Sequence, residues 1–238
     1  NNGSTELNDR ALSMSALPNV DVLSLQDKAT IALLVVRHPS VLQFAEGLSS
    51  NLTVGRVVVI VNNPPVLTGG KGFGYDLETV RRHAESISSG EVAIIAESGV
   101  TQAECNRVAR SGSLGEPTWP GFLDVSTFLP HETDFAKRPI LGRHSRDAVL
   151  KWPDLRDLKL VYTATADYGV RILGGCSSLP AKSRDHLEAH AEVLEFGAEA
   201  PSDFLGSLDF WAYFHSPALT ESFGMATVEA MASGLVVI

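Results

Sequence analysis

Residues 215–234 read HSPALTESFGMATVEAMASG, and this stretch decides the predicted fold. It continues from the apolar run Phe210–His215, which predicts a strand, and a helix is expected to begin directly after Glu221 and to stop at Gly234. Small residues open that helix, so its free N–H groups and partial positive charge are accessible to an anion such as phosphate. Glu221 and Glu229 flank this anion cradle, and carboxylates accept hydrogen bonds from the hydroxyl groups of a sugar.

Short β-branched runs alternate with segments of helical period along the rest of the chain. In addition to Phe210–His215, the predicted strands are Val20–Leu25, Thr30–Arg37, Arg56–Asn62, Val92–Glu97, Ile140–Leu141, Lys159–Thr165, Val193–Phe196 and Leu235–Ile238. Helices are predicted after Pro39, after the N-cap Asp76, and after a capping box formed by Thr101 and Glu104. This alternation is typical of βαβ units and parallel sheets.

Polar stretches interrupt the alternation, and the last of them marks the predicted domain junction near Lys137. The expected fold is α/β with two Rossmann-like parallel-sheet domains, residues 1–137 and residues 138–238. Two such domains in tandem form a cleft at the C-terminal ends of their strands, where ligands usually bind. We expect both ends of the fold to be truncated, because the chain stops within a predicted strand.

Composition excludes several classes of function. The formal charge of 19 − 28 = −9 argues against a general nucleic-acid binder, which needs a net basic face. The longest aliphatic runs are far below the ~18 residues that span a bilayer. Two cysteines without metal-ligand spacing are typical of a reducing compartment. The composition therefore predicts a cytoplasmic protein, and no Asp-x-Asp metal motif is present.

A basic segment opens the second predicted domain. Residues 137–159 hold seven Lys or Arg and three Asp, a local charge of +4 within a chain of −9. A basic island on an acidic protein favours a specific anion site. On charge alone a salt-bridged surface is an equal alternative. On spacing alone, Glu221 and Glu229 also fit an ordinary amphipathic helix.

The two segments together resemble a known family. Glu221 begins the sequence Glu-Ser-Phe-Gly, and Glu229 begins the sequence Glu-Ala-Met-Ala-Ser-Gly. Together they are similar to the E-x7-E motif of retaining GT-B glycosyltransferases, especially glycosyltransferase family 4. Gly142, Arg143 and Lys151 resemble the family's clamp for the donor diphosphate. The resemblance covers residues 138–238 well, and the first domain mainly by its order of elements.

The resemblance implies a role for each matching residue. Glu229 would bind the ribose hydroxyls and Glu221 the hydroxyls of the donor sugar. Arg143 and Lys151 would neutralise the departing diphosphate, and Arg146 would share that role within the clamp that includes Gly142. The start of the helix would meet the donor sugar or diphosphate through Ser222, Phe223, Gly224, Met225 and Ala226.

Three further positions follow from the same resemblance. His38, at a strand-to-helix turn, would contact the donor sugar. Asn62 and Asn63, at the end of the next strand, are candidates for the cleft. The turn after Val193–Phe196 would seat the nucleotide base.

The implied activity is transfer of a sugar, with retention, from a nucleotide-sugar donor to an acceptor hydroxyl. The acceptor would be a glycan, a lipid-linked glycan or a small molecule, as in polysaccharide biosynthesis. No cofactor, metal or nucleic acid is expected, and peripheral membrane association is compatible with the family. Two alternatives stay open: a sugar-nucleotide 2-epimerase of the same architecture, and a non-catalytic sugar-nucleotide-binding domain.

Overall fold

The computed structural model describes residues 28–43, 52–66, 74–109, 114–115, 117–130 and 137–238. Two parallel sheets form, which confirms the α/β prediction. The predicted strand Val20–Leu25 lies outside the described residues. Among the described residues, no helix is long and apolar enough to cross a membrane.

The first sheet has the strand order β1-β2-β3. Its strands are β1 (Ala29–Val36), β2 (Leu52–Val61) and β3 (Val92–Ala96), and its helices are α1 (Ser40–Gln43), α2 (Leu77–Ile87) and α3 (Gly99–Val108). The central strand β2 is almost continuously apolar and buried at its C-terminal half, as a sheet covered on both faces requires. Helix α2 packs Leu77, Val80, Ala84 and Ile87 into the same core.

The second sheet has the strand order β6-β5-β4-β7-β8, and all its strands are parallel. Its strands are β4 (Ile140–His144), β5 (Gly169–Leu173), β6 (Glu192–Leu194), β7 (Phe210–Trp211) and β8 (Val236–Val237). The helices between them are α4 (Leu155–Val161), α5 (Ala181–His190), α6 (Pro201–Leu205) and α7 (Met225–Ala232). The chain runs outward from β4 to β6 and then returns to the other side of β4. The strand order therefore reverses between β4 and β7, and a crevice opens there at the C-terminal ends.

Several local predictions need correction. The predicted strand Lys159–Thr165 is wrong, because residues 155–161 form α4, whose N-cap Asp154 accepts a hydrogen bond from the Asp157 N–H. The strand of this region is β5, which sequence analysis missed. The predicted capping box at Thr101 is also wrong: Ser98 caps α3 and accepts from the Thr101 N–H at 3.2 Å. Asp76 caps α2 as predicted.

The helix after Glu221 begins later than predicted. Its N-cap is Gly224, with a φ of 73° in the left-handed region that favours glycine. Residues 222–223 therefore form a turn between the strand end and α7. This turn contacts the first half of the chain: Ser222 Oγ lies 2.6 Å from Thr101 Oγ1, and the Phe223 ring packs against Gly121.

Residues 117–130 contact both sheets: the Trp119 N–H donates to the carbonyl of Ala96 in β3, and the later part of the segment packs on the second sheet. Phe128 joins the apolar cluster around Trp211, and Pro130 lies against Gly234 at the end of α7. Sequence analysis placed this segment in the first domain. Two of its side chains, Leu123 and Phe128, pack in the apolar cluster of the second sheet.

Candidate active site

A cavity of about 450 Å³ opens at the C-terminal ends of the strands of the second sheet, beside the reversal point between β4 and β7. The side chains that line it come from the loop after β4, from the loops after β5, β6 and β7, and from the start of α7. They are His144, Ser145, Arg146, Lys151, Leu173, Gly174, Phe196, Gly197, Glu199, Pro201, Tyr213, Glu221, Gly224, Met225, Ala226, Thr227 and Glu229.

A cluster of three polar groups forms one wall. Lys151 Nζ lies 3.0 Å from Glu221 Oε2 and 3.3 Å from the Tyr213 hydroxyl, and Tyr213 donates to Glu221 Oε2 at 3.0 Å. Burial, and then the negative charge of Glu221, raise the pKa of Tyr213 well above its ordinary value. The phenol therefore stays protonated and keeps donating to Glu221, while the ammonium group of Lys151 neutralises the carboxylate.

Every acidic side chain that lines the cavity has a partner. Lys151 pairs with Glu221, His144 Nε2 lies 2.7 Å from Glu229 Oε2, and Arg171 Nη2 lies 2.9 Å from Glu199 Oε1. Paired carboxylates repel an incoming anion less than free ones do, because the partner's charge or N–H dipole offsets their field.

An anion in this cavity meets favourable groups on two sides. Arg146 and Lys151 contribute cationic side chains from the loop after β4. Met225 and Ala226 begin α7, whose first N–H groups have no partner within the helix and carry its positive end. The arrangement can hold a diphosphate between the basic loop and the helix start.

Comparison with models of known protein families and with curated protein sequences finds no match. Solved structures do match. A point mutant of S. aureus TarM in complex with fondaparinux, alpha-GlcNAc-glycerol and UDP is 13% identical, with a TM-score of 0.60, over 86% of this chain and 40% of that one. HepE from Anabaena in complex with UDP and glucose is 16% identical, with a TM-score of 0.58, over 86% of this chain and 58% of that one.

A UDP-forming α,α-trehalose-phosphate synthase from Burkholderia xenovorans is 12% identical, with a TM-score of 0.50, over 89% of this chain and 57% of that one. The fold is that of GT-B glycosyltransferases. This chain spans roughly two fifths to three fifths of the length of these GT-B structures.

Seven of the site residues that were predicted from the sequence lie together around the cavity. They are Arg146, Lys151, Glu221, Gly224, Met225, Ala226 and Glu229. The loop after β6, which the family resemblance assigned to the nucleotide base, supplies Phe196 at the far side. Its ring is exposed, so one face is open for stacking.

Arg143 requires a correction, because it does not line the cavity. Its side chain is fully buried, 3.9 Å above the Trp152 ring. Its Nη1 donates to the carbonyl of Phe214 at 3.2 Å, and its Nη2 donates to the carbonyl of Lys151 at 2.7 Å and to Ser145 Oγ at 3.0 Å. With Nη1 and Nη2 committed to these groups, the guanidinium fixes the backbone that carries Lys151 instead of contacting a diphosphate.

Four other predicted residues also lie away from the cavity lining. Gly142 is buried within β4, where a Cβ would collide with the methyl groups of Leu208, so it serves packing. Ser222 and Phe223 contact the first half of the chain. His38 is exposed at the end of β1, where its Nδ1 lies 2.5 Å from Ser40 Oγ.

Sequence analysis missed several polar residues of the site, among them His144 and Tyr213. His144 ends β4 and Tyr213 lies two residues beyond β7. The available signal was their position, since polar side chains at the C-terminal ends of parallel strands face the usual ligand crevice. Asn62 and Asn63 hold a comparable position in the first sheet, and their amide oxygens are buried without a hydrogen-bond partner.

Proposed function

We propose that this chain binds a nucleotide sugar in the cavity and transfers the sugar, with retention and without a metal, to an acceptor hydroxyl, as family 4 glycosyltransferases do. The observation that carries the proposal is the single cavity in which Arg146, Lys151, Glu221 and Glu229 surround the N-terminal end of α7. Two of the matched structures contain UDP, so we propose UDP as the nucleotide to test first.

The chemistry of the lining supports one arrangement of the donor. The diphosphate lies between Arg146, Lys151 and the start of α7, since these supply positive charge and N–H donors. Glu229 accepts from the ribose, and the base stacks on Phe196. Glu221 then faces the hydroxyls of the sugar.

The residues act on charge that develops during transfer. As the bond from the anomeric carbon to the β-phosphate oxygen breaks, negative charge grows on that oxygen. Lys151 and the N–H groups of α7 stabilise it, and one well-placed donor of this kind is worth about 2.7–4 kcal/mol in such sites. The acceptor oxygen attacks from the face the phosphate leaves, and its proton passes to the departing phosphate oxygen. The new glycosidic bond therefore keeps the original configuration.

Acceptor and location belong to the same proposal. We propose a hydroxyl of a glycan, a lipid-linked glycan or a small molecule as acceptor, and a cytoplasmic location. Cys105 and Cys176 are buried and unpaired, which is typical of a reducing compartment.

The proposal is tested by calorimetric titration with UDP, GDP and dTDP, followed by incubation with labelled nucleotide sugars and a panel of glycan acceptors, with and without EDTA. We expect micromolar binding of one nucleotide and a labelled product of retained configuration that EDTA does not reduce. Lys151→Met should weaken binding at least tenfold, whereas Lys182→Met, on the exposed face of α5, should not. Isomerised donor, binding without turnover, or no binding would each contradict transfer.

A further inference from the structure

His144 lies between two groups that together determine which of its ring nitrogens carries the proton. It is 6% exposed at the end of β4, and the indole Nε1 of the fully buried Trp211 lies 3.1 Å from its Nδ1. On its other side, its Nε2 lies 2.7 Å from Glu229 Oε2. The three side chains come from β4, β7 and α7, so they join the centre of the sheet to the helix that borders the cavity.

The indole fixes the tautomer of the imidazole. An indole N–H can only donate, so Nδ1 of His144 must accept and cannot carry a proton. A neutral imidazole whose Nδ1 is unprotonated carries its proton on Nε2. Nε2 therefore donates to Glu229.

We propose that His144, held by Trp211 as a neutral Nε2–H donor, is a positioning residue that orients Glu229 toward the ribose of the nucleotide. The inference rests on the proposed function and deepens it. The donated hydrogen bond fixes Oε2 and leaves Oε1 of the same carboxylate as the acceptor for a ligand. Because the donor is neutral, Glu229 keeps its full negative charge and accepts strongly from a hydroxyl.

Fixing the carboxylate in advance also favours recognition of the ribose. A free glutamate side chain loses rotamer freedom when it engages a ligand, and a prior hydrogen bond removes part of that cost. The gain applies only to ligand groups that contact Glu229. His144 should therefore affect discrimination between ribose and deoxyribose more than it affects binding of the diphosphate.

The tautomer is tested directly, without any ligand. Nitrogen-15 NMR of the histidine rings at pH 7 should show His144 with an unprotonated Nδ1 and a protonated Nε2, and the signal is assigned by its absence in His144→Gln. Trp211→Phe keeps a buried ring and removes the donor, so it should allow the tautomer of His144 that carries its proton on Nδ1 to appear at pH 7. A proton on Nδ1 in the wild type would overturn the inference, whatever the protein binds.

The consequence for the ligand is tested by calorimetric titration with UDP and 2′-deoxy-UDP. The wild type should prefer UDP by about tenfold, the value of one hydrogen bond to a charged group. His144→Phe should reduce this preference to less than about twofold, and His144→Gln should restore most of it because the amide again donates to Glu229. His186→Phe, on α5 outside the cavity, is the matched control and should match the wild type.

The outcomes separate the two proposals. No binding of any nucleoside diphosphate to the wild type would overturn the proposed function, and the role of His144 in ribose recognition with it. UDP binding with an unchanged preference in folded His144→Phe would overturn this inference alone. Thermal unfolding of each variant establishes that it is folded, and Trp211→Phe provides the second variant if His144→Phe is not.

Discussion

The buried position of Arg143 gives a prediction that separates a structural role from direct contact with a diphosphate. Arg143→Met leaves the carbonyls of Phe214 and Lys151 and the hydroxyl of Ser145 without their donor. Each lost donor to a buried or half-buried group costs about 1–1.5 kcal/mol, and stacking on Trp152 contributes about 1 kcal/mol. Removal of a buried charge returns part of this sum. We expect a net loss of about 3 kcal/mol in the free energy of unfolding.

The matched control is Arg146→Met, because Arg146 lies three residues further on and is exposed at the cavity. Its replacement should change the free energy of unfolding by less than about 0.5 kcal/mol and weaken UDP binding about tenfold. Arg143→Lys provides a second comparison. It keeps a positive charge but lacks the planar fork that reaches both carbonyls, so it should be destabilised almost as much as Arg143→Met.

Urea unfolding at 25 °C measures stability, and calorimetric titration with UDP at low urea, where each variant is folded, measures binding. An Arg143→Met variant that unfolds like the wild type but binds UDP tenfold more weakly would refute the structural role. It would favour direct contact between Arg143 and the diphosphate instead. An Arg143→Lys variant with wild-type stability and wild-type affinity for UDP would also refute the structural role.

Three further outcomes are expected. Thr101→Val removes the hydroxyl that contacts Ser222 across the two halves of the chain and should lower stability by about 1–2 kcal/mol in urea unfolding, whereas an unchanged midpoint would show that this contact does not form in solution. Gly174→Ala places a Cβ at a φ of 118°, against a backbone carbonyl, and should cost about 2–3 kcal/mol; a loss below 0.5 kcal/mol would contradict the observed backbone. The raised pKa values of Tyr75 and Tyr213 mean that the folded protein retains protons which the unfolded chain releases near pH 10. Stability contributed by these phenols is therefore complete below about pH 10 and falls as pH rises above it, and Tyr213→Phe should make the fall shallower in unfolding curves measured from pH 8 to 11.

The α/β class and the position of α7 could be predicted from the sequence because both depend on local pattern. The alternation of strands and helices indicates the class, and Glu221 lies directly before the turn that leads into α7, with Glu229 in the second turn of that helix. Lys159–Thr165 shows the limit of this approach. The aliphatic run in this segment fits a buried strand and one buried face of a short helix equally well, and periodicity does not distinguish them over so few residues. The cap at Asp154 was the deciding local signal.

Arg143 shows a second limit: the residue predicted to face the cavity and the residue that does so are neighbours in β4. Side chains of successive residues in a strand point to opposite faces, so Arg143 and His144 cannot both face the cavity from β4. The basic character of the segment favours the arginine as the anion contact. The choice is made instead by tertiary structure: Trp152 and the carbonyls of the following loop cover one face, and the reversal point with β7 opens on the other. Nothing local to residues 142–144 records this difference.

The pairing of β4 with β7 explains why so many polar groups converge on one cavity. The end of β4 and the loop after it supply His144, Arg146 and Lys151 within eight residues, and the segment after β7 supplies Tyr213, Glu221 and Glu229 within seventeen. Because these strands are neighbours, the two segments meet without any contribution from the first sheet, and every described residue that lines the cavity lies in 144–229. Thr101 on α3 instead contacts Ser222, and Gly121 in the segment 117–130 contacts Phe223 and Met225, directly after Glu221. A shift of these elements is therefore expected to move residues 222–225, which join Glu221 to α7, and with them the carboxylate that is proposed to face the donor sugar.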